Sequence, residues 1–303
     1  MRNNDTKKEA TNRPDIKEVL QDLQDKVQEI FSSEYYLKEY LRVYSSFHQY
    51  SVNNSILILM QRPEASRVAS FLDWKKLGGK VKKGSKGIKV LVPTPKKIIS
   101  EQEKVLEDGT TVIEETEHKR MFFKIGYVFD VADVDIELPS LTKKLEYNSD
   151  FLKALIGKIV AESKTPIFIE DSSKVDFGTA NGFYSLANKE IYVRKDLSDL
   201  HILKTILHEL SHSLQETEHE ETVKGFTREM KEVVAESTAY CVFRILASTY
   251  GIEELDSSEY SLGYIVGWST DKETKELKMT LSLIGDIVNT LTDWIEGMEI
   301  QYA

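Results

Sequence analysis

The sequence predicts an α+β fold organised as two domains. Apolar residues return every three or four positions in several segments, beginning with residues 15–31, which is the pattern of amphipathic helices. Short runs rich in β-branched and aromatic residues, such as Ile88–Val92 and Glu190–Val193, indicate strands among the helices. A chain of 303 residues is long for a single hydrophobic core, so we expect two domains, each with its own core.

The expected domain boundaries follow changes in composition along the chain. Residues 1–14 are polar and charged, which predicts a disordered tail. Residues 139–148 begin with Pro139-Ser140 and carry two lysines, which is typical of a linker. The first domain is then expected at residues 15–138 and the second at residues 149–303.

The first domain is expected to combine three helices with a β-hairpin. The helix at residues 15–31 is followed by a second at roughly Glu34 to Tyr50, and a third begins near Asn54. Two strands follow, joined by a polar excursion through Asp108-Gly109, and their predicted bounds are Ile88–Val92 and Phe122–Phe129.

The second domain is expected to begin with a helix from Asp150 to Glu162. Strands are predicted at Ile167–Glu170, near Tyr184 and near Ile191. At least three helices should then follow as far as Gly297.

The first of these later helices carries the motif His208-Glu209-x-x-His212. Residues four apart share one face of a helix, so both imidazoles can reach one metal ion. Glu209, beside the first histidine, can then act as general base on the attacking water of a metallopeptidase. The alternative is a helix with two solvent-facing histidines. Apolar residues recur around the motif every three or four positions and favour an amphipathic helix, which Ser198 or Asp199 can cap. These apolar residues are Ile202, Leu203, Ile206, Leu207, Leu210 and Leu214.

Catalytic zinc usually has three protein ligands, so the two histidines need a third partner. Glu216 is excluded because it lies roughly 12 Å along the helix axis from His208. The next predicted helix offers Glu232 and Glu236, four apart on one face beside small residues. We assign Glu232 as the ligand and Glu236 as acceptor of the free N–H of a ligand histidine, and the reverse assignment stays open. Zn²⁺ is the expected ion, with Mn²⁺ or another divalent metal as the alternative.

A peptidase also needs a donor for the oxyanion and a place for the substrate. Tyr184 and Tyr240 are the candidate donors. The predicted strand at Ile191–Val193 could hold a peptide if it lies at a sheet edge, although it reads equally as a core strand.

Charge is distributed unevenly along the chain. The net charge is −10, but residues 61–100 hold eleven Lys and Arg against two acids, a local +9 that leaves −19 elsewhere. Such asymmetry indicates a surface for a polyanion, and nearby aromatic residues such as Phe71, Trp74 and the tyrosines of residues 35–50 could stack on unpaired bases. A solvated lysine face over an aromatic core is the alternative.

Composition also bears on the cellular compartment. The single cysteine, Cys241, excludes an intramolecular disulfide and fits a reducing compartment. Residues 1–14 lack the apolar core of a signal peptide, and the longest apolar run, Ser55 to Met60, is too short to cross a bilayer. We therefore expect a cytoplasmic protein without membrane contact.

The amino-terminal half resembles the first domain of ArdC/LtrC-type antirestriction proteins. Four pieces occur in the family order, namely Asn53-Asn54, Gln61-Arg62-Pro63, Trp74 with Gly78, and Lys83-Gly84-Ser85-Lys86-Gly87-Ile88. The resemblance implies binding of single-stranded DNA on a mobile element, with these residues as contacts: Asn53, Asn54, Arg62, Trp74, Lys75, Lys80, Lys82, Lys83, Lys86 and Lys89. An insertion rich in glutamate after Ser100 departs from the family pattern.

The carboxyl-terminal half resembles the same family's metallopeptidase domain. The strand at Ile191, the motif at His208, the pattern Glu232-x-x-Ala235 and Tyr264-x-x-x-Trp268 fall in the family order. The Glu-x-x-Ala pattern is also similar to that of ImmA/IrrE peptidases and the wider gluzincins, which implies Glu232 as the ligand.

Three functions fit these resemblances. The first is a zinc peptidase tethered to single-stranded DNA, protecting incoming DNA during conjugation and acting on an unknown protein or peptide. The second is a DNA-binding protector whose metal site is not proteolytic. The third is an ImmA-like peptidase that cleaves a regulatory protein.

Overall fold

The computed structural model describes residues 16–105, 111–136, 149–252, 260 and 273–300. The predicted tail, the linker and the turn at Asp108-Gly109 lie outside these residues. So does the Tyr264–Trp268 segment of the family resemblance. Helices and strands occur in both halves of the described chain and run in blocks rather than in strict alternation, which fits an α+β fold.

Nine α-helices lie in the described residues. They are α1 (Ile16–Ile30), α2 (Glu34–Ser46), α3 (Val52–Gln61), α4 (Phe71–Lys76), α5 (Ser149–Glu162), α6 (Asp199–Thr217), α7 (Glu220–Val223), α8 (Arg228–Tyr250) and α9 (Thr274–Glu296). Eight strands lie in the same residues. They are β1 (Val68–Ser70), β2 (Lys80–Val81), β3 (Ile88–Val105), β4 (Thr111–Asp130), β5 (Val134–Asp135), β6 (Ile167–Glu170), β7 (Gly182–Ser185) and β8 (Glu190–Arg194).

Serine caps define where the early helices begin. The hydroxyls of Ser33, Ser51 and Ser70 each accept the backbone N–H three residues further on, at the starts of α2, α3 and α4. This bond satisfies one of the amide donors that an α-helix leaves unpaired at its amino terminus. The helix predicted from Glu34 to Tyr50 begins after its Ser33 cap and ends at Ser46, earlier than expected.

The amino-terminal sheet is dominated by one long antiparallel hairpin. Strands β3 and β4 pair continuously from Ile88 opposite Val128 to Val105 opposite Thr111, and β1 adds to the base of β4. The hairpin is much longer than the predicted strands at Ile88–Val92 and Phe122–Phe129. A two-stranded ribbon pairs its own backbone without needing a buried face, so polar residues continue it where periodicity gives no strand signal.

The two halves of the chain share a core. The α2 helix packs against α8, and α1 and α3 contact α9. The buried thiol of Cys241 lies 3.7 Å from the carbonyl of Leu41, and Gln28 Nε2 donates to Thr274 Oγ1 at 2.9 Å. The division into two domains stays a prediction, but the first three helices are packed against the last two.

The second sheet lies beside α6 in the order β6-β8-β7. Strand β8 pairs in parallel with β6 and antiparallel with β7. Of the two alternatives for Ile191–Val193, the core strand is therefore the correct one, because its backbone groups are paired on both sides. The edge strand nearest α6 is β7. Gly182 permits this approach, since a Cβ there would lie 2.6 Å from Thr205 Cγ2.

Candidate functional site

Helix α6 presents the motif as its periodicity predicts. Ser198 rather than Asp199 caps it, because the Ser198 hydroxyl accepts the N–H of His201. The predicted apolar positions Ile206 and Leu207 are fully buried, and His208 and His212 lie on the face toward α8 with side chains less than one-fifth exposed. The two imidazoles are thus partly desolvated and next to each other, as a shared metal ligand pair must be.

The histidines and Glu232 form a triangle of potential ligand atoms. His208 Nε2 lies 3.2 Å from His212 Nε2. Glu232 Oε2 lies 3.4 Å from the Nε2 atom of each histidine. These residues form a group that could hold a metal ion, with all three atoms within 4.8 Å of one another.

The size of the triangle fits a tetrahedral divalent ion. Zinc bonds to imidazole nitrogen and carboxylate oxygen at about 2.0–2.2 Å, so two ligands of a tetrahedral site should be about 3.3 Å apart. The three measured separations, 3.2, 3.4 and 3.4 Å, are close to that value. Three protein ligands would leave a fourth tetrahedral position for water or substrate, as catalytic rather than structural zinc sites do.

Glu236 lies on the other side of the His208 ring. Nδ1 of His208 donates to Glu236 Oε2 at 2.8 Å, so Nε2, which is directed into the triangle, is the ring atom that a metal would bind in place of a proton. The other carboxylate oxygen, Oε1, lies 3.1 Å from Lys204 Nζ. Glu232 therefore lies where a third ligand would stand and Glu236 where an acceptor for the His208 N–H would stand, whereas sequence alone left the reverse assignment open.

Sequence reasoning did not identify Lys204. It stands four residues before His208 on α6, so helical spacing places it on the histidine face. Its ammonium also lies 4.5 Å from the centre of the Tyr260 ring, a cation–π distance. Lys204 belongs to the site only because it contacts Glu236, which lies on another helix. No local sequence motif predicts that contact.

The electrostatics of the cluster favour a cation. Burial lowers the pKa of His208, but hydrogen bonds to Glu232 and Glu236 outweigh it and raise the pKa to about 10. Hydrogen bonds from His208 and His212 hold the pKa of Glu232 far below its usual value. The carboxylates thus stabilise positive charge at the imidazoles, and a divalent ion would supply that charge in place of a proton.

Glu209 is buried beside this triangle, with only 6% of its surface exposed. Burial raises the pKa of Glu209, and a hydrogen bond with the backbone of Tyr184 partly opposes the rise. An elevated pKa brings a carboxylate closer to the range in which a general base both accepts and returns a proton near neutrality. The contact also ties the motif helix to edge strand β7.

The two candidate oxyanion donors differ in accessibility. Tyr184 lies half-buried on β7, next to Glu209 through its backbone. Tyr240 is 5% exposed and packs edge-on against Tyr260, with ring centres 5.1 Å apart. Tyr184 is thus the more accessible of the two candidate donors.

Three residues predicted to contact DNA make bonds within the protein, and one of them is inaccessible. Trp74 is fully buried, and its indole N–H donates to the Phe129 carbonyl at 2.7 Å, so the prediction of a stacking contact by Trp74 is wrong. The Asn54 amide donates to the Leu91 carbonyl at 3.0 Å and accepts the Leu91 N–H at 2.7 Å. Arg62 forms an ion pair with Asp133. The physical reason is shared, because each side chain satisfies backbone or charge within the protein.

The predicted lysine contacts are mostly at the surface. Lys75, Lys80, Lys82, Lys83 and Lys86 are exposed. The ammonium of Lys82 donates to the Ala132 carbonyl at 3.0 Å. Lys89 and Asn53 are half-buried. Of the ten predicted contacts, the exposed lysines therefore stay available to a polyanion.

Among the described helices, none is long and apolar enough to span a membrane.

Comparison with known proteins identifies the amino-terminal part of the chain. Residues 6–129 match the model of the N-terminal domain of the anti-restriction factor ArdC. The chain is also 26% identical over 338 aligned positions to an uncharacterized protein of Bacillus anthracis, pXO2-81, with 97% of this chain and 55% of that protein covered. The chain thus spans about half the length of this curated relative.

Two crystal structures of the antirestriction protein ArdC from plasmid R388 align with the fold. The metal-free structure is 17% identical, with 82% of this chain and 86% of that chain covered and a TM-score of 0.46. The Mn(II)-bound structure is 16% identical, with 92% of this chain and 98% of that chain covered and a TM-score of 0.48.

Proposed function

We propose that this chain, whose residues 6–129 belong to the ArdC N-terminal domain family, is an antirestriction protein of a mobile element with a metal-dependent peptidase site. Its amino-terminal half would bind single-stranded DNA, and its carboxyl-terminal half would cleave a protein or peptide. Zn²⁺ is the proposed ion, since two imidazoles and one carboxylate are a common catalytic donor set for it.

One observation carries the peptidase proposal. The Nε2 atoms of His208 and His212 and Oε2 of Glu232 lie at the mutual distances of tetrahedral metal ligands, and Glu209 is buried next to them. Two features separate this arrangement from a structural metal site. Only three protein ligands converge among the described residues, and a carboxylate with a raised pKa stands beside them.

The bound ion would polarise the substrate carbonyl and make water a better nucleophile. Glu209 would accept a proton from the attacking water and return it to the leaving amine. Glu236 would accept the hydrogen bond of the Nδ1–H group of His208, so that Nε2 of the same ring is directed toward the ion. Tyr184 would donate to the developing oxyanion, and the free edge of β7 would pair with the backbone of an extended substrate.

The decisive experiment compares Glu209→Gln with the wild type, using fluorescein-labelled casein as substrate. Both proteins are loaded with Zn²⁺ or Mn²⁺ and assayed with and without a single-stranded oligonucleotide. General base catalysis contributes about 10²- to 10⁴-fold, so we expect at least a 100-fold loss. Glu229→Gln, on the exposed start of α8, is the matched control and should leave the rate unchanged.

Metal content should be equal in the three proteins, because none of these changes touches a ligand atom. Cleavage by Glu209→Gln at the wild-type rate would refute the peptidase assignment. An absence of cleavage by metal-loaded wild type, with or without DNA, would also refute peptidase activity on casein.

A second function is favoured by the packing of α2 against α8, the helix that carries Glu232. A metal that binds α6 to α8 would then stiffen the surface on which the DNA-binding half rests, without proteolysis. Protection of incoming unmodified DNA in a conjugation assay separates the two. Protection that survives Glu209→Gln but fails with His208→Ala would favour the structural metal.

A further inference from the structure

The stem of the β3–β4 hairpin combines aromatic and cationic residues in an unusual way. We define the stem as residues 88–99 of β3 and 118–127 of β4. It holds six lysines and arginines and no aspartate or glutamate. It also exposes large apolar side chains that neighbouring elements leave uncovered, namely Met121, Phe122, Phe123 and Tyr127. Exposed apolar groups within a strongly basic strand pair indicate a binding surface.

The strand alternation assigns these residues to two faces. Met121, Phe123 and Tyr127 are odd-numbered and therefore share one face of β4, which we call the stacking face. Phe123 is 51% and Tyr127 48% exposed. Pro93 pairs with Phe123 and Pro95 with Met121. These compact, rigid partners leave Phe123 and Met121 uncovered from the neighbouring strand, whereas Tyr127 pairs with Lys89, a further cation of the same face.

The opposite face is less suited to stacking. Phe122 already has Lys96 Nζ at 5.3 Å and Arg120 Cζ at 5.6 Å from its ring centre. The face of the Phe122 ring is therefore already in contact with cations of the protein. Among these aromatic side chains, Phe123 and Tyr127 are the ones without a cation–π contact in the described residues.

The lysine-rich turn is joined to the stacking face through Gly87. A Cβ at Gly87 would lie 3.0 Å from the Tyr127 Cβ and 3.1 Å from its Cδ1, so only glycine lets the turn approach the ring this closely. Lys86 is exposed beside it. Lys119 lies on the same face of β4 as Phe123, at the distal end. Cations thus stand at both ends of the aromatic row.

From this arrangement we infer that the stacking face binds single-stranded DNA, with bases on Phe123 and Tyr127 and phosphates near Lys86 and Lys119. The inference rests on the proposed single-strand binding and gives it a site. Unpaired bases offer faces to aromatic rings, whereas duplex bases are stacked on each other. The stem carries no acid, since the glutamates of the hairpin begin beyond it at Glu101 and Glu117, and its positive charge favours a polyanion over an apolar protein partner.

The inference also moves the aromatic contacts away from their predicted positions. Trp74, Tyr40 and Tyr44 are at most 2% exposed and cannot receive a base. The exposed lysines of the turn keep their predicted part. The sequence analysis chose aromatic residues that are close to these lysines along the chain. In the structure, the hairpin brings a different ring, that of Tyr127, close to the lysine-rich turn.

The test measures fluorescence anisotropy of labelled dT20 with the full chain at 50 to 200 mM salt. Stacking contributes enough per base that Phe123→Ala/Tyr127→Ala should weaken binding by about 10- to 100-fold. The salt slope should stay the same, because no charge is removed. Phe168→Ala is the matched control, since Phe168 is an aromatic side chain 39% exposed on β6 of the second sheet. It should bind as the wild type does.

The outcomes separate the two proposals. If the wild type fails to bind dT20 at low salt, single-strand binding itself is refuted. If the wild type binds and the double variant binds equally well, only the hairpin site is refuted. Equal affinity for a duplex or for rU20 would refute the assignment to single-stranded DNA. Phe123→Leu/Tyr127→Leu keeps apolar area without rings, and its recovery of wild-type affinity would refute stacking.

Discussion

Nδ1 of His208 donates to Oε2 of Glu236 at 2.8 Å, while Nε2 of the same ring faces His212 at 3.2 Å. One imidazole is thereby held between an orienting carboxylate and a potential metal site. Glu236 is 7% exposed and also contacts Lys204. The relationship makes the site a set of coupled contacts between α6 and α8, and its parts can be separated by mutation.

Removal of the Glu236 carboxylate should weaken metal binding although Glu236 contributes no atom to the ligand triangle. Loss of such an orienting partner typically lowers metal affinity about 10- to 100-fold. Isothermal titration of Zn²⁺ into Glu236→Ala measures the change. Glu236→Gln keeps an acceptor oxygen for Nδ1 and should lose less. Equal affinities for Glu236→Ala and wild type would show that Glu236 does not position His208.

Lys204 should act through Glu236. In Lys204→Met the carboxylate keeps its bond to His208 but loses its buried cationic partner, and a hydrogen bond to a charged group contributes about 1.5–3 kcal/mol. We expect a loss of that order in the free energy of urea unfolding, with weaker Zn²⁺ binding. Lys204→Arg should restore both. A variant that loses stability but binds Zn²⁺ as tightly as wild type would restrict Lys204 to a structural part.

Metal binding should stabilise the folded chain. A ligand that binds only the native state at 100 times its dissociation constant contributes about 2.7 kcal/mol. The unfolding midpoint of the wild type should therefore rise on addition of Zn²⁺ and fall back with a chelator. His208→Ala removes one of the three ligands and should abolish most of the shift. An equal shift in that variant would place the ion elsewhere.

Trp74 should matter for stability and not for DNA. Trp74→Phe keeps most of the buried ring area but leaves the Phe129 carbonyl without its donor. An unsatisfied buried acceptor costs about 1–3 kcal/mol. Urea unfolding should show this loss, while anisotropy with dT20 should be unchanged in folded protein. A selective loss of DNA affinity at wild-type stability would restore Trp74 as a contact.

Local pattern was sufficient for much of the carboxyl-terminal site. The apolar spacing of α6, its Ser198 cap and the four-residue separation of His208 and His212 depend on residues close in the chain. Helical geometry alone then places the two imidazoles together. The same reasoning narrowed the third ligand to Glu232 or Glu236, because α8 is also a regular helix.

The amino-terminal contacts were harder to predict because exposure depends on distant partners. Asn54 and Trp74 belong to pieces of a family motif, yet their polar atoms bond to Leu91 and Phe129 far along the chain. A motif records that a residue is required without stating whether it holds the fold or contacts a ligand. The hairpin was predicted, but the length of its strands was missed because a paired ribbon carries little periodic burial.

By itself, therefore, the sequence determined the motif helix and the placement of the two histidines on one of its faces, since spacing along one helix fixes which side chains share a face. Tertiary structure decided which carboxylate completes the triangle, that β7 rather than β8 is the edge strand, and which aromatic side chains reach solvent. Those outcomes depend on how separate elements pack, and packing brings together residues that no local pattern relates.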